Sequence, residues 1–152
     1  MSRLEIGMVM EPSPGYTAKL AAEIEAMGFD ALVCPDTQCL SPDPWGQLSL
    51  AAAQTKRLFL GTGVTNPCTR DSSVTAGALA TLQLESGGRA RCGIGRGDSS
   101  AAHIGQRNAT TLELRTYIEQ LQAYLRGEVV MRAKTSSRMR WIQPGELPTV
   151  PI

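Results

Sequence analysis

Charge of one sign is scarce in this chain: 15 basic against 14 acidic side chains leave a net +1 over 152 residues. That balance gives no electrostatic basis for nucleic acid or an anionic membrane as the main partner. Long apolar runs are missing too, and none approaches the roughly 20 residues of a membrane span. The segment Met1–Glu5 has neither the apolar core nor the small-residue cleavage site of a signal peptide. Four cysteines (Cys34, Cys39, Cys68 and Cys92) lack CxxC spacing. Cys34 and Cys92 fall in predicted strands, so buried free thiols in a cytoplasmic protein are expected before disulfides or a metal site. No Walker loop, nucleophile–base pair or metal-ligand spacing is present.

What is there is a repeat. A short apolar strand runs into a polar loop marked by Gly or Pro, and then into a helix, four times in succession. The predicted strands are Leu4–Met10, Ala31–Cys34, Leu58–Thr65 and Arg89–Ile94. Helix one should bury Tyr16, Leu20, Ile24 and Met27, which share a stripe at helical spacing. Helix two runs from about Trp45 to Thr55. Helix three is capped by Ser72 or Ser73, buries Val74, Ala78 and Leu82, and stops at Gly87-Gly88. Thr110 caps a last helix with Leu114, Ile118, Leu121 and Leu125 on one face. The stretch 128–147 reads as an irregular insertion or lid with a short hairpin, and 147–152 as the approach to a fifth strand. Crossovers of this length require parallel strands. The expected fold is therefore α/β, either an open doubly wound sheet or the first half of a (β/α)8 TIM barrel. An end just as a fifth strand begins favours the half barrel, since a complete one takes about 250 residues.

Parallel strands deliver their following loops to one rim, where α/β proteins do chemistry. Glu11, Asp36, Asn66 and Asp98 occupy matching places beyond the four strands. A single loop carboxylate is usually solvated or a helix cap; three on one rim make a candidate acid set. Gly61-Thr62-Gly63-Val64-Thr65-Asn66-Pro67 places two glycines inside a strand, which marks a bulge, a barrel-corner kink or a near ligand. Gly93-Ile94-Gly95-Arg96-Gly97-Asp98 fails the dinucleotide fingerprint, because Asp98 stands where the third glycine is needed. It reads either as a tight turn or as close backbone approach to a flat ligand. His103 is placed to orient substrate or simply to face solvent. Trp45 and Trp141 are expected to pack, Trp45 seating helix two and Trp141 the end of the chain. Arg132, Lys134, Arg138 and Arg140 form a solvated basic segment or a flexible lid.

Four segments carry a family resemblance: Pro35-Asp36-Thr37-Gln38 with Asp43-Pro44-Trp45, the strand-three run Gly61–Pro67, Ser86-Gly87-Gly88-Arg89, and Gly93–Asp98. In this order they resemble the luciferase-like flavin-dependent oxidoreductases, especially the branch dependent on coenzyme F420, typified by methylenetetrahydromethanopterin reductase. The resemblance implies a barrel that binds coenzyme F420, or alternatively FMN, in its mouth. It implies hydride transfer to or from a small organic substrate, or monooxygenation. Glu11, Asp36 and Asp98 would be the catalytic acids. Gly63, Val64, Thr65, Asn66, Gly95, Arg96 and Gly97 would bind the cofactor, with a bulge and a non-proline cis peptide at Gly63-Val64. Gln83-Leu84-Glu85 departs from the family order at the acid. The family's second half, with most phosphate-gripping loops, has no counterpart in these 152 residues. A homo-oligomer or a complementary half-barrel is the expected partner. The alternatives are a catalytically incomplete fragment and an open α/β ligand-binding domain.

Overall fold

The computed structural model describes residues 4–152. Strands β1 (Gly7–Val9), β2 (Ala31–Cys34), β3 (Phe59–Thr65) and β4 (Ala90–Ile94) form one parallel sheet in chain order. Helices α1 (Thr17–Ala26), α2 (Pro44–Gln54) and α3 (Ser72–Glu85) cross between them. A short α4 (Asp98–His103), a long α5 (Thr111–Leu125) and an antiparallel pair, β5 (Val130–Met131) with β6 (Ser136–Ser137), follow. A doubly wound sheet reverses its strand order at a switch point. This sheet does not reverse, and right-handed crossovers between neighbours put the helices on one face. It is the wall of a half barrel.

The strands are apolar because their helix-facing side chains are sealed. Leu32, Cys34, Leu60, Ala90 and Cys92 pack with Ala21, Ile24, Leu48, Ala51, Leu79, Ala80 and Leu121 in one core. Cys34 and Cys92 are free and buried as expected, and burial pushes each thiol up to about 11. On the other face Arg91 stacks on Phe59 at 3.7 Å and pairs with Glu5 at 3.0 Å.

Several local expectations are corrected. Strand one shrinks to Gly7–Val9, because this edge strand has only β2 to pair with. Helix α1 buries Thr17, Ala21 and Ile24, whereas Tyr16 and Met27 are 66% and 72% exposed. Tyr16 is the N-cap and Met27 the C-cap, so both stand beyond the helical stripe. Asp71, not Ser72 or Ser73, caps α3 by accepting the Ser73 N–H at 2.9 Å. Val74 is therefore exposed, and Thr75, Ala76, Leu79 and Leu82 go inward. The Thr110–Glu113 capping box forms as the sequence predicts. Gly87 and Gly88, with φ of +67° and +95°, end α3 in a conformation other residues rarely adopt.

Long-range clasps tie the amino-terminal end of the sheet. The Glu25 carboxylate accepts the backbone N–H groups of Lys56, Arg57 and Leu58. Arg89 donates to the carbonyls of Ala52, Thr55, Leu58 and Ser86 and to the Thr55 hydroxyl. Gln83 accepts the Ala90 N–H and donates to Pro148 and Thr149. Pro151 then accepts the Cys92 N–H at 2.9 Å, which lays the last residues beside β4 where a fifth strand belongs. Arg132 is no free lid residue: it pairs with Asp71 at 2.6 and 2.9 Å and lies 5.7 Å over the Tyr124 ring. Lys134, Arg138, Arg140 and Trp141 are exposed, and Met139 and Ile142 pack in place of Trp141.

Candidate functional site

Strand β3 reaches the carboxyl rim irregularly. Thr62 pairs with Cys92 and Thr65 with Ile94, so Gly63 and Val64 together oppose the single residue Gly93. That is a β-bulge, the feature two strand glycines suggest. The Gly63-Val64 peptide is cis, where the resemblance put it. The glycines are needed for closeness. A Cβ on Gly61 would overlap the Arg91 carbonyl, and one on Gly93 would lie 2.5 Å from the Thr62 carbonyl. A Cβ on Gly63 would meet Val33 at 2.9 Å, and one on Gly95 would meet Val64 at 2.8 Å. The first pair serves the approach of β3 to β4. Gly95 instead leaves room for Val64, whose side chain is partly exposed at the rim.

A cavity of about 280 Å³ opens there, lined by Pro35, Thr37, Gly63, Val64, Asn66, Gly95, Arg96, Gly97, Asp98, Ser99 and Ser100. It joins the loops after β2, β3 and β4, as parallel strands require. A larger cavity of about 680 Å³ lies outside the sheet between α3 and α5, with Cys68 and Tyr117 in its lining and none of the candidate acids.

The rim residues divide by what they touch. Asp36 is 2% exposed and does not line the cavity. Its Oδ1 accepts Gln38 Nε2 at 2.8 Å; its Oδ2 accepts Thr65 Oγ1 at 2.7 Å, Arg70 Nε at 2.8 Å and Trp45 Nε1 at 3.4 Å. Trp45 thus seats α2 and also orients the acid. Asn66 is buried, with Nδ2 on Ser100 and Oδ1 accepting from Cys68 N, Thr69 N and Thr69 Oγ1. It lines the cavity, and because both ends of its amide are taken by the protein it also holds the loop in shape. Asp98 begins α4 and accepts from Asn108 Nδ2. Arg96 is exposed, with Nε donating to Ala109 at 2.7 Å. Glu11 is exposed and outside the cavity. His103 ends α4 facing solvent.

Arg70 is the residue that sequence reasoning passed over. Besides Asp36 it pairs with Asp43, and its guanidinium lies 5.9 Å over the Trp45 ring. Burial works against its charge, yet Asp36 and Asp43 more than offset this and raise its affinity for the proton. The signal was present: several acids on one rim call for a cation, and Arg70 lies four residues beyond Asn66.

The profile of the luciferase-like monooxygenases matches residues 2–152. The chain belongs to that family. The 5,10-methylenetetrahydromethanopterin reductase of Methanopyrus kandleri is 39% identical over 103 residues, which are 66% of this chain and 29% of the reductase. A phthiodiolone/phenolphthiodiolone dimycocerosates ketoreductase of Mycobacterium kansasii is 40% identical over 85 residues, 55% of this chain and 23% of that enzyme. Among solved structures, the coenzyme F420 dependent tetrahydromethanopterin reductase of Methanopyrus kandleri superposes with a TM-score of 0.75 at 30% identity, covering 83% of this chain and 41% of that one. The oxygenating constituent of 3,6-diketocamphane monooxygenase from Pseudomonas putida, in complex with FMN, gives 0.72 at 20% identity over 90% and 43%, a likeness of fold. The chain thus spans less than a third of these curated relatives and about four-tenths of these solved chains. The family is one of oxidoreductases and monooxygenases with the TIM-barrel fold, and this chain is α/β with four of its parallel strands. Among the described residues no helix is long and apolar enough to cross a membrane.

Proposed function

We propose that this chain forms part of an oxidoreductase that binds a deazaflavin, coenzyme F420, or alternatively FMN, at the carboxyl rim and passes hydride between that ring and a small organic substrate. One observation carries the reading: the rim cavity is floored by Val64 set against glycine at 95, where a Cβ would meet the valine. A small valine side chain beside bare glycine backbone suits a flat ring, and about 280 Å³ accommodates a ring system without its tail. The bound ring supplies hydride chemistry; the chain supplies placement. Val64 and Gly95 support its face. Asn66 and Ser100 hold the two loops together behind it. Asp98 is the exposed acid in the cavity lining available to hold or move a substrate proton, and Glu11 is an exposed acid outside it. The names and identities of the relatives favour F420 over FMN. Free buried Cys34 and Cys92 agree with work in the cytoplasm. Residues 1–152 read as one partial barrel domain, with 128–147 an irregular insertion tied to α3 by the Arg132–Asp71 pair.

Titration of the chain with F420 and with FMN, followed by absorbance and fluorescence, tests this. Saturable spectral change with one ring is expected, and its loss in Gly95→Val locates it. Silence from both rings at high concentration ends the proposal.

A second reading adds a partner. Val9 on the edge strand β1 and Ile6 just before it are exposed, and a bare apolar strand edge invites association. A second copy or a complementary half-barrel would cover it. Light scattering at rising concentration decides: a constant monomer mass rejects this reading and leaves the first intact.

A further inference from the structure

Two of the three loops around the cavity, those after β2 and β3, are joined by one cation. Arg70 stands on the loop after β3, with 19% of its side chain exposed, and its two acids, Asp36 and Asp43, both lie on the loop after β2. Asp36 in turn holds Thr65 Oγ1 at 2.7 Å, and Thr65 follows Val64 directly in the chain. The contacts therefore form a closed circuit, from the end of β3 through its own loop to the neighbouring loop and back. Without Arg70, Asp36 would keep only neutral donors: the Gln38 amide, the Thr65 hydroxyl and the Trp45 indole. A buried carboxylate without a countercharge turns toward water or neutralises. Either change loosens the hold on Thr65, and with it the floor at Val64.

We infer that Arg70 is a positioning residue of the rim site, one that sets the Val64 floor through Asp36 and Thr65 without reaching the ligand. Asp36 is then the middle of a relay and not a proton donor to substrate. Arg70 does not line the cavity, and neither does Asp36. This rests on the reading of the cavity as a ring site, so the experiment has one arm that needs no ring. Asp43 has a separate duty, capping α2 through the Gly46 N–H at 3.1 Å. The Arg70–Asp43 pair therefore anchors a helix, and the Arg70–Asp36 pair serves the site.

The test compares wild type with Arg70→Met, Arg70→Lys and Thr65→Val. In the ring-free arm, amide chemical shifts of the whole chain are compared. Arg70→Met moves the amides of Val64, Thr65 and Gly95 and leaves those of Leu48 and Leu79 in place. Shifts confined to residues 68–72 overturn the inference. In the second arm, F420 and FMN affinities are measured by fluorescence. Arg70→Met weakens binding by roughly tenfold or more, the scale of one charge-assisted hydrogen bond. Arg70→Lys recovers most of that loss, because it restores the countercharge. Thr65→Val, which removes only the hydroxyl held by Asp36, loses affinity in the same direction and keeps the fold measurable should Arg70→Met fail to fold. Unchanged affinity in both Arg70→Met and Thr65→Val overturns the inference. If wild type binds neither ring, the ring reading fails, and the amide arm still decides what Arg70 positions.

Discussion

The two ends of this half barrel use charge in opposite ways. At the amino-terminal end, Glu25 and Arg89 bind backbone: three N–H groups for the acid, four carbonyls for the guanidinium. At the carboxyl end, side chains bind side chains, as in the set of Asp36, Arg70, Asp43, Trp45 and Thr65. Backbone clasps fix where strands and helices meet, and they have no second arrangement to visit. Side-chain sets hold loops whose shape a ligand can read. The same family segments serve both ends: Ser86-Gly87-Gly88-Arg89 builds the clasp, and Gly93–Asp98 builds the site. A motif shared with enzymes is thus not always a motif that touches substrate.

The sharpest break of this contrast is Arg89→Met. It strips donors from the carbonyls of Ala52, Thr55, Leu58 and Ser86 while leaving the rim untouched. Carbonyls left without partners cost stability, about 3 kcal/mol for the set, read as a lower midpoint in urea unfolding. Ring affinity of the folded chain should stay at the wild-type value. A stable Arg89→Met with altered affinity would show that the two ends are not separate.

Two glycines sharpen it next. A Cβ at Gly61 would overlap the backbone carbonyl of Arg91, which cannot yield without parting β3 from β4. Gly61→Ala is expected to cost about 2–3 kcal/mol, the upper range for overpacking. At Gly95 the obstacle is Val64 Cγ2 at 2.8 Å, the end of a side chain that can turn. Gly95→Ala therefore costs under about 1 kcal/mol of stability yet lowers ring affinity by roughly tenfold. Equal stability losses in the two variants would erase the distinction between a packing glycine and a site glycine.

What the sequence made legible follows the same line. Strand order, parallel direction and the loops at the rim were readable, because buried parallel strands such as Ala31–Cys34 are apolar on both faces and glycine or proline marks their ends. The Thr110 cap was readable because its partner, Glu113, is local. Arg70, Arg89, Gln83 and Glu25 were not, since their partners lie 27 to 66 residues away or are backbone atoms with no sequence signature. Asp36 was legible by its place beyond β2 but its burial was not, since Thr65 and Arg70, which hold it, lie 29 and 34 residues further on. The stripe through Tyr16 and Met27 failed because hydrophobic spacing was extended one residue past each end of α1; within the helix Thr17, Ala21 and Ile24 are the buried residues.

The smallest effect belongs to Glu25, and its sign separates a charge bound to backbone from a mere surface acid. Burial opposes the charge, yet the N–H groups of Arg57, Leu58 and Lys56 and the Arg57 charge outweigh it, holding the carboxyl below its ordinary 4.5. A carboxyl depressed by folding means that the unfolded chain takes up its proton first as pH falls. Its stabilisation is therefore complete above the unfolded value and disappears as pH drops through the folded one. Glu25→Gln keeps the shape and removes the charge. At neutral pH the loss should stay under about 1 kcal/mol, because the carboxylate is only partly buried and solvent screens its charge. The stability curves of wild type and variant should then converge as acid is added. Parallel curves would mean that the clasp holds by shape alone, and that charge at the amino-terminal end does no more than charge on any exposed helix.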